Sequence, residues 1–189
     1  GTYNAAEKQE TCTSCAAGTY QPDARQTACK ACDVGSYCPA GAAAALPCQG
    51  GSFSSATSLE RADQCTAADP GYFATTGSTE QSACAKGTYT DAPKQDKCTL
   101  CTDGKFQDAV GTTACKACTD GYYCADGAAA ALPCPGGTRK DTTLPYMDEE
   151  SDCVTCGVGT FCPVRSGAET DCAPGNQTVA SNRRTTAAS

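Results

Sequence analysis

Cys15-Ala-Ala-Gly18-Thr-Tyr20 opens a short unit that recurs about eleven times along the chain. The clearest copies have a cysteine, two variable residues, a glycine, one further residue and an aromatic ring, as in Cys32-Asp-Val-Gly35-Ser-Tyr37, Cys101-Thr-Asp-Gly104-Lys-Phe106 and Cys156-Gly-Val-Gly159-Thr-Phe161. Because glycine tolerates a positive φ, the pattern predicts a tight turn followed by a short strand. A unit this short cannot bury a core alone, so it must be one member of a stacked series.

Cysteine replaces the residues that usually form a hydrophobic core. The 189 residues include 18 Cys but only one Met and no Trp, and isoleucine is absent. Large aliphatic side chains supply most of the burial energy of a core, whereas cysteine at nearly one residue in ten is typical of a disulfide scaffold. Disulfides persist in oxidising compartments, so the composition predicts a secreted, lumenal or cell-surface protein.

The chain is acidic, with a formal net charge of −7 and a pI of about 4.5. This charge argues against binding to nucleic acid or to anionic lipid. No apolar run approaches the roughly 18 residues that a membrane helix requires, so we expect no direct membrane insertion of this segment. The cysteines imply secretion although no signal peptide is visible, which predicts that the chain is a piece of a longer protein.

A larger block is duplicated in tandem. The stretch Gly1–Cys12 reads GTYNAAEKQETC, and Gly87–Cys98 reads GTYTDAPKQDKC, 86 residues later. The stretch Gly41–Cys48, GAAAALPC, returns in the same way at Gly127–Cys134. The sequence therefore predicts a first cysteine-rich block over residues 1–86 with an incomplete opening unit, a second block over 87–172, and the start of a further unit over 173–189.

The predicted fold class is a series of small disulfide-rich repeats. Tandem short irregular β-hairpins are expected to form an extended rod with very little helix and no conventional hydrophobic core. An aromatic residue occupies the second position after most of the glycines, where its ring can cover a neighbouring disulfide, and only Arg139 and Gln177 depart from this rule. The two alanine stretches leave room for one helical turn, and a second short turn is predicted within Ser54–Asp63.

The duplicated blocks indicate how the cysteines pair. Cys156 and Cys162 of the second block correspond to Ala68 and Ala74 of the first. Loss of both together indicates that they are partners, since loss of one would strand a thiol. With identical spacings and consecutive closure elsewhere, the predicted disulfides are Cys15–Cys29, Cys32–Cys38, Cys48–Cys65, Cys84–Cys98, Cys101–Cys115, Cys118–Cys124, Cys134–Cys153 and Cys156–Cys162.

Two cysteines, Cys12 and Cys172, have no partner in this scheme. Each is predicted to be half of a pair whose other cysteine lies outside the chain. A competing connectivity interleaves the cysteines of each Cys-x2-Cys-x5-Cys-x9-Cys set, first with third and second with fourth, and it stays open at this stage.

The unit that begins at Cys15, closes at Cys29 and continues at Cys32 resembles the opening loop of ephrin-receptor-like and tumour-necrosis-factor-receptor-like cysteine-rich modules. The resemblance covers nearly the whole chain and implies an extracellular, disulfide-stapled tandem repeat. The stretch Cys38–Cys48, CPAGAAAALPC, resembles long repeat arrays in surface proteins of algae and other protists. Some of those belong to extracellular fibres, including the hair-like appendages of flagella. The Cys-x5-Cys spacing departs from the receptor pattern.

Few residues offer a chemical function. The spacing Cys12-x2-Cys15-x13-Cys29-x2-Cys32 fits a zinc ribbon, but the additional regular cysteines favour disulfides. Having no His removes the usual general base, so we expect no enzyme activity, no catalytic residue and no cofactor. The acidic segment Asp148–Asp152 is either a solvated loop or a source of oxygen ligands for calcium.

Asn176-Gln-Thr178 is an N-glycosylation sequon. The leading functional hypothesis is a structural component of an extracellular or cell-surface glycoprotein assembly, namely a fibre, a coat or a flagellar appendage. Its expected partners are further repeats of the same polypeptide, other copies in the assembly, and glycans. The alternative is a ligand-binding or adhesive ectodomain of a cell-surface receptor, for which the apolar cluster Leu144–Met147 is the candidate contact.

Overall fold

The computed structural model describes residues 1–174, 177–178 and 187–188, which contain eleven antiparallel hairpins, numbered here in chain order. Hairpins 1 to 5 pair β1 (Thr2–Tyr3) with β2 (Thr13–Ser14), β3 (Thr19–Tyr20) with β4 (Lys30–Ala31), β5 (Ser36–Tyr37) with β6 (Leu46–Pro47), β7 (Ser52–Phe53) with β8 (Thr66–Ala67), and β9 (Tyr72–Phe73) with β10 (Ser82–Ala83).

Hairpins 6 to 11 follow the same plan. They pair β11 (Thr88–Tyr89) with β12 (Thr99–Leu100), β13 (Lys105–Phe106) with β14 (Lys116–Ala117), β15 (Tyr122–Tyr123) with β16 (Leu132–Pro133), β17 (Thr138–Lys140) with β18 (Cys153–Thr155), β19 (Thr160–Phe161) with β20 (Thr170–Asp171), and β21 (Gln177–Thr178) with β22 (Ala187–Ala188).

The chain divides into two compact units. The first contains Gly1–Cys84 and Thr90–Cys98, and the second contains Ala85–Tyr89 and Thr99–Ser189. The helical segments of the described residues are two 3-10 turns, Ala62–Gln64 and Glu150–Asp152. The predicted fold class of tandem short hairpins with very little helix is therefore confirmed.

The prediction of a helical turn in the alanine stretches is wrong. Gly41 has a φ of 74°, so the chain turns through a left-handed conformation just before Ala42. Ala42 then forms an isolated parallel bridge with Tyr20 of the preceding hairpin, and Ala128 forms the same bridge with Phe106. Pairing with the neighbouring hairpin outweighs the helix propensity of alanine. The turn predicted within Ser54–Asp63 overlaps the 3-10 turn at Ala62–Gln64.

Eight disulfides hold the hairpins, and they are the same eight pairs as in the consecutive scheme. Five close segments of 14 to 19 residues, and their Cα atoms lie 5.7 to 6.0 Å apart: Cys15–Cys29, Cys48–Cys65, Cys84–Cys98, Cys101–Cys115 and Cys134–Cys153. Three close segments of six residues: Cys32–Cys38, Cys118–Cys124 and Cys156–Cys162. Every bond lies within one hairpin, so each of the eight crosslinked hairpins is closed independently of the others.

Disulfide sulfur forms most of the buried interior. Among the described residues, the buried apolar side chains are cysteines, three alanines and Met147. Two aromatic rings pack against these cysteines from the preceding hairpin, as the sequence predicts for this position. Tyr20 of hairpin 2 packs against Cys32 and Cys38 of hairpin 3. In hairpin 8, Tyr123 packs against the cluster that contains Met147 and the disulfide of hairpin 9.

In hairpins 2 to 6 and in hairpin 9, a glycine N–H group hydrogen-bonds to the next hairpin. In hairpin 2 the backbone N–H of Gly18 donates to the carbonyl of Cys38 at 2.8 Å, and Gly41 of hairpin 3 returns a bond to Cys15 at 2.8 Å. In the second unit Gly137 donates to Cys162 of the following hairpin at 2.8 Å. Consecutive hairpins are thus joined by backbone hydrogen bonds, which do not depend on side-chain identity.

The same glycines make room for a second neighbour, the hairpin two places later. A methyl group on Gly51 would lie less than 3.0 Å from the carbonyl oxygen of Lys94, and one on Gly121 would meet the carbonyl of Arg165 in the same way. Lys94 and Arg165 themselves have positive φ values of 63° and 73°. The repeat therefore needs glycine for two reasons, since the backbone has a positive φ and a carbonyl group occupies the space of a Cβ atom.

Hairpin 5 keeps this geometry without a disulfide. Ala68 and Ala74, which stand where hairpin 3 has its cysteines, are 0% and 2% exposed. The N–H group of Ala68 and the carbonyl group of Ala74 both hydrogen-bond to the backbone of Gly51, at 2.9 and 2.7 Å. The carbonyl group of Ala68 accepts a bond from Lys94, and the N–H group of Ala74 donates one to Gln95. Cys32 and Cys38 make the equivalent four hydrogen bonds in hairpin 3. The backbone network therefore forms with or without the crosslink.

Replacement of Gly121 should separate the two requirements for glycine. Gly121 and Gly159 have φ values of 81° and 84°, but a methyl group on Gly159 would meet none of the described residues within 4 Å. We expect Gly159→Ala to cost about 1–2 kcal/mol from the left-handed backbone alone. Gly121→Ala should cost roughly 2 kcal/mol more, because the carbonyl of Arg165 must move. Thermal unfolding of the two non-reduced variants measures the difference, and equal destabilisation would contradict the close approach.

A paired substitution, Ala68→Cys with Ala74→Cys, should add a ninth disulfide. The site already has the hydrogen bonds of a crosslinked hairpin, so the new bond should form without rearrangement and stabilise hairpin 5 by about 2 kcal/mol. Intact-mass and thiol-labelling measurements would show the bond, and thermal unfolding its effect. Each single substitution serves as a control with one free thiol in addition to Cys12 and Cys172. Two additional free thiols in the double variant would show that the equivalence with hairpin 3 is wrong.

Candidate binding surface

The acidic segment Asp148–Asp152 caps a turn. Oδ2 of Asp152 accepts hydrogen bonds from the backbone N–H groups of Asp148 at 2.9 Å and Glu149 at 3.0 Å. In the first unit the amide oxygen of Gln64 accepts the two equivalent bonds, from Glu60 at 2.7 Å and from the next residue at 3.0 Å. The carboxylate of Asp152 thus accepts the same pair of hydrogen bonds as the uncharged amide of Gln64. These bonds order the start of the 3-10 turn.

The two aspartates of this segment also share a hydrogen bond. Desolvation and the neighbouring Asp152 raise the pKa of Asp148, whereas hydrogen bonds from the backbone of Glu149 and Asp148 lower the pKa of Asp152. The structure thus brings the side chains of Asp148 and Asp152 together. No group of three or more His, Cys, Asp or Glu side chains within the described residues is arranged to hold a metal ion.

The other predicted site residues are placed as follows. Cys12 is exposed and Cys172 is half-buried, and neither forms a disulfide within the described part of the chain. The predicted glycosylation site, Asn176, lies outside the described residues. In the zinc-like set, Cys15, Cys29 and Cys32 are all in disulfides, and a disulfide sulfur offers no thiolate to a metal.

Arg139, which replaces the aromatic ring in hairpin 9, forms an ion pair with hairpin 10. Its Nε donates to Oε1 of Glu169 at 2.8 Å, and both side chains are about three-quarters buried, with exposures of 26% and 28%. Glu169 also accepts bonds from the N–H of Gly157 at 3.2 Å and the hydroxyl of Thr160 at 3.1 Å. The hydrogen bond from Arg139 is the main reason that the pKa of Glu169 is lowered, and the hydrogen bond from the backbone of Gly157 is the second. An ion pair thus joins hairpins 9 and 10 at the position where most other hairpins have an aromatic ring.

The loop of hairpin 9, residues 141–149, is the irregular part of the second unit. The disulfide of hairpin 9 closes 19 residues, against 17 for hairpin 4, its counterpart in the first unit. In this loop Met147 is buried, at 3% exposure, whereas Tyr146 is 43% exposed. The sequence-predicted apolar cluster Leu144–Met147 is therefore split, with Met147 in the interior and Tyr146 on the surface.

Beside this loop lies a cavity of about 350 Å³ formed by hairpins 7, 8 and 9. We call it the Tyr146 groove and define it by Asp103, Lys105, Thr119, Tyr122, Lys140 and Tyr146. One side of the Tyr122 ring is approached by the guanidinium group of Arg165, 5.9 Å from the ring centroid. Lys140 is held by an ion pair with Asp120 at 2.8 Å. The groove thus combines two aromatic rings with ammonium, carboxylate and hydroxyl groups.

Sequence reasoning found Tyr146 but missed the other groove residues. They belong to three different hairpins, and each looks like an ordinary exposed residue of its own repeat. The duplicated block carries a signal that could have found them. Where the second block has Lys105, Tyr122, Lys140 and Tyr146, the first has small polar residues, Thr19, Ser36, Ser54 and Ser58.

The fold and the disulfides define a class: a tandem array of disulfide-stapled hairpins of an extracellular or cell-surface protein. Within it, residues 1–43 match the family model described as tyrosine-protein kinase ephrin type A/B receptor-like. The match supports a cysteine-rich ephrin-receptor-like repeat in this stretch. A search of curated proteins finds no match to the chain. Among the described residues, no helix has the length and apolar character needed to span a membrane.

Glu169 should contribute to acid sensitivity. Its pKa is lowered in the folded chain from an ordinary value of 4.5, so the ion pair stabilises the fold above about pH 4.5. This stabilisation is lost as the pH falls through the lower, folded-state pKa. Glu169→Gln should therefore show a smaller loss of thermal stability than the wild type between about pH 6 and pH 3.

The matched control is Glu10→Gln, which removes the same charge from an exposed position in hairpin 1. It should leave the pH dependence close to that of the wild type. An acid response of Glu169→Gln that equals the wild-type response would show that the Arg139 pair does not stabilise the fold.

Proposed function

We propose that the chain is a structural segment of an extracellular or cell-surface glycoprotein assembly, such as a fibre, a coat or a flagellar appendage. The observation that supports this most is that each disulfide closes within one hairpin, while backbone hydrogen bonds from glycines connect hairpins 2 to 6 and hairpin 9 to the hairpin that follows. Tension along such a chain is carried by many similar, separately stapled elements. A local failure then releases a short length of chain and leaves the other hairpins closed.

The proposed partners follow from this role. Further repeats of the same polypeptide, other copies in the assembly, and glycans attached at Asn176 would surround the segment. The resemblance of Cys38–Cys48 to protist surface arrays favours an appendage or coat. That the chain has no enzyme activity stays a prediction from the absence of His.

A second candidate function is a ligand-binding or adhesive ectodomain. The ephrin-receptor-like match over residues 1–43 favours it. So does the Tyr146 groove, which is built from residues that the duplicated block lacks. This candidate requires a binding partner, whereas the structural role requires resistance to extension.

Single-molecule force spectroscopy tests the structural role. Between the first disulfide and the last, the longest run that no disulfide bridges is Cys65–Cys84, which contains hairpin 5. Its opening should lengthen the chain by at most about 70 Å, because an extended residue spans about 3.6 Å. The double variant Ala68→Cys, Ala74→Cys should shorten this step by roughly a third, because the new bond closes part of the run. Reduction should allow extension of roughly 650 Å.

The matched controls are the two single-cysteine variants, whose largest step should equal that of the wild type. A non-reduced chain that extends as far as the reduced chain would contradict the structural role. Antibody labelling of intact cells should also decorate a fibre, coat or appendage. Labelling spread over the plasma membrane, lost when a soluble partner competes, would favour the ectodomain instead.

A further inference from the structure

The Tyr146 groove lies at a place in the second block whose counterpart in the first block has small polar residues. Gly18 lies against the carbonyl oxygen of Ser58, and Gly104 lies against the Cβ atom of Tyr146. The backbone N–H of Cys38 donates a hydrogen bond to the carbonyl of Leu59 at 2.8 Å, and the N–H of Cys124 donates one to the carbonyl of Met147 at 3.0 Å. Hairpins of the same kind therefore form without the two tyrosines and two lysines. The first block has threonine and serine at all four positions, and its backbone differs locally at Ser58, where φ is 60°.

Tyr146 is held in place before any ligand arrives. Pro145, which fixes its own φ, precedes it, and the buried Met147 follows it. The Cβ atom of Tyr146 also lies against Gly104, where an added methyl group would be only 2.8 Å away. Because the backbone and the Cβ atom of Tyr146 are held in this way while the residue is 43% exposed, little backbone entropy is lost on binding.

The charges in the groove are balanced, which argues against an anionic ligand. Lys105 and Lys140 are matched by Asp103 and by Asp120, the ion-pair partner of Lys140. The whole chain has a net charge of −7, so no positive field draws an anion toward the site. A purely apolar ligand also fits poorly, since it would desolvate ammonium and carboxylate groups without bonding to them.

The size of the cavity limits the ligand further. A volume of about 350 Å³ is at the small end of ligand pockets. It suits a small molecule or one residue of a polymer, whereas a folded partner would need a much larger interface. The ligand class that meets every condition has an apolar face for the tyrosine ring and many hydroxyl groups for the ammonium, carboxylate and hydroxyl groups.

We infer that the Tyr146 groove binds a saccharide, specifically a neutral hexose unit of an extracellular glycan. The C–H face of the sugar stacks on Tyr146. Its hydroxyl groups accept hydrogen bonds from the ammonium groups of Lys105 and Lys140 and donate to the carboxylate of Asp103. This inference does not rest on the structural role, because sugar binding and resistance to extension are measured separately.

Titration of the non-reduced, ¹⁵N-labelled chain with methyl glucoside, methyl galactoside and methyl mannoside tests the inference by NMR. At least one should shift the amide resonances of Lys105, Tyr122 and Tyr146, with a Kd of about 1–10 mM, as expected for a ligand of this size. Sodium acetate and cyclohexanol are the probes for a simple anion and a simple apolar ring. Neither should shift these resonances at the same concentration.

The first block provides the variants. Tyr146→Ser and Lys105→Thr install the residues that the equivalent positions already have, Ser58 and Thr19, so both should fold. Each should weaken sugar binding at least tenfold, and retention of the remaining amide shifts would show that folding is intact. Ser58→Ala is the matched control and should leave binding unchanged.

Three results would overturn the inference. The first is the absence of any shift in the groove with all three sugars at about 50 mM. The second is a response to acetate or cyclohexanol as strong as the response to the sugars. The third is wild-type affinity in both groove variants.

Discussion

The close approach of a carbonyl group to a glycine is the constraint on which the structure depends. In hairpins 4 and 8, Gly51 and Gly121 face the carbonyl groups of Lys94 and Arg165, two hairpins later. Each of these hairpins therefore contacts both of the next two, and a fold with so few large apolar side chains obtains its order from backbone geometry. Disulfides and aromatic rings then fill the small spaces that remain. This division explains why hairpin 5 can lose its crosslink and keep its shape.

Much of this fold could be predicted from the sequence, because its determinants are local. The Cys-x-x-Gly-x-aromatic pattern predicts the hairpins, and the paired loss at Ala68 and Ala74 indicates the consecutive disulfides found in the structure. The contacts between hairpins could not be predicted. They depend on register, and spacing does not tell which carbonyl will face which glycine. The prediction of a helical turn in the alanine stretches is wrong for that reason, because Ala42 pairs with Tyr20 of another hairpin.

The candidate site shows the same division. The sequence of Asp148–Asp152 is that of an acidic cluster, but in the structure Asp152 caps a turn as the amide of Gln64 does in the first unit. The groove gave no local signal, because its side chains come from three hairpins and meet only in the folded unit. Comparison of the two blocks is more informative than either block alone. Positions that stay the same maintain the backbone, and positions that diverge, such as Ser58 and Tyr146, are free to acquire a function.

The short reach of the disulfides has a consequence for how the protein is made. Paired cysteines are 6 to 19 residues apart, so a nascent chain entering an oxidising compartment presents both partners almost together. Each bond can close before the next hairpin emerges. None of the sixteen paired cysteines depends on a partner that is synthesised much later. Lengthening the array by further duplication would then add little to the difficulty of oxidative folding. A polypeptide of this kind can grow very long and still mature correctly, one hairpin at a time.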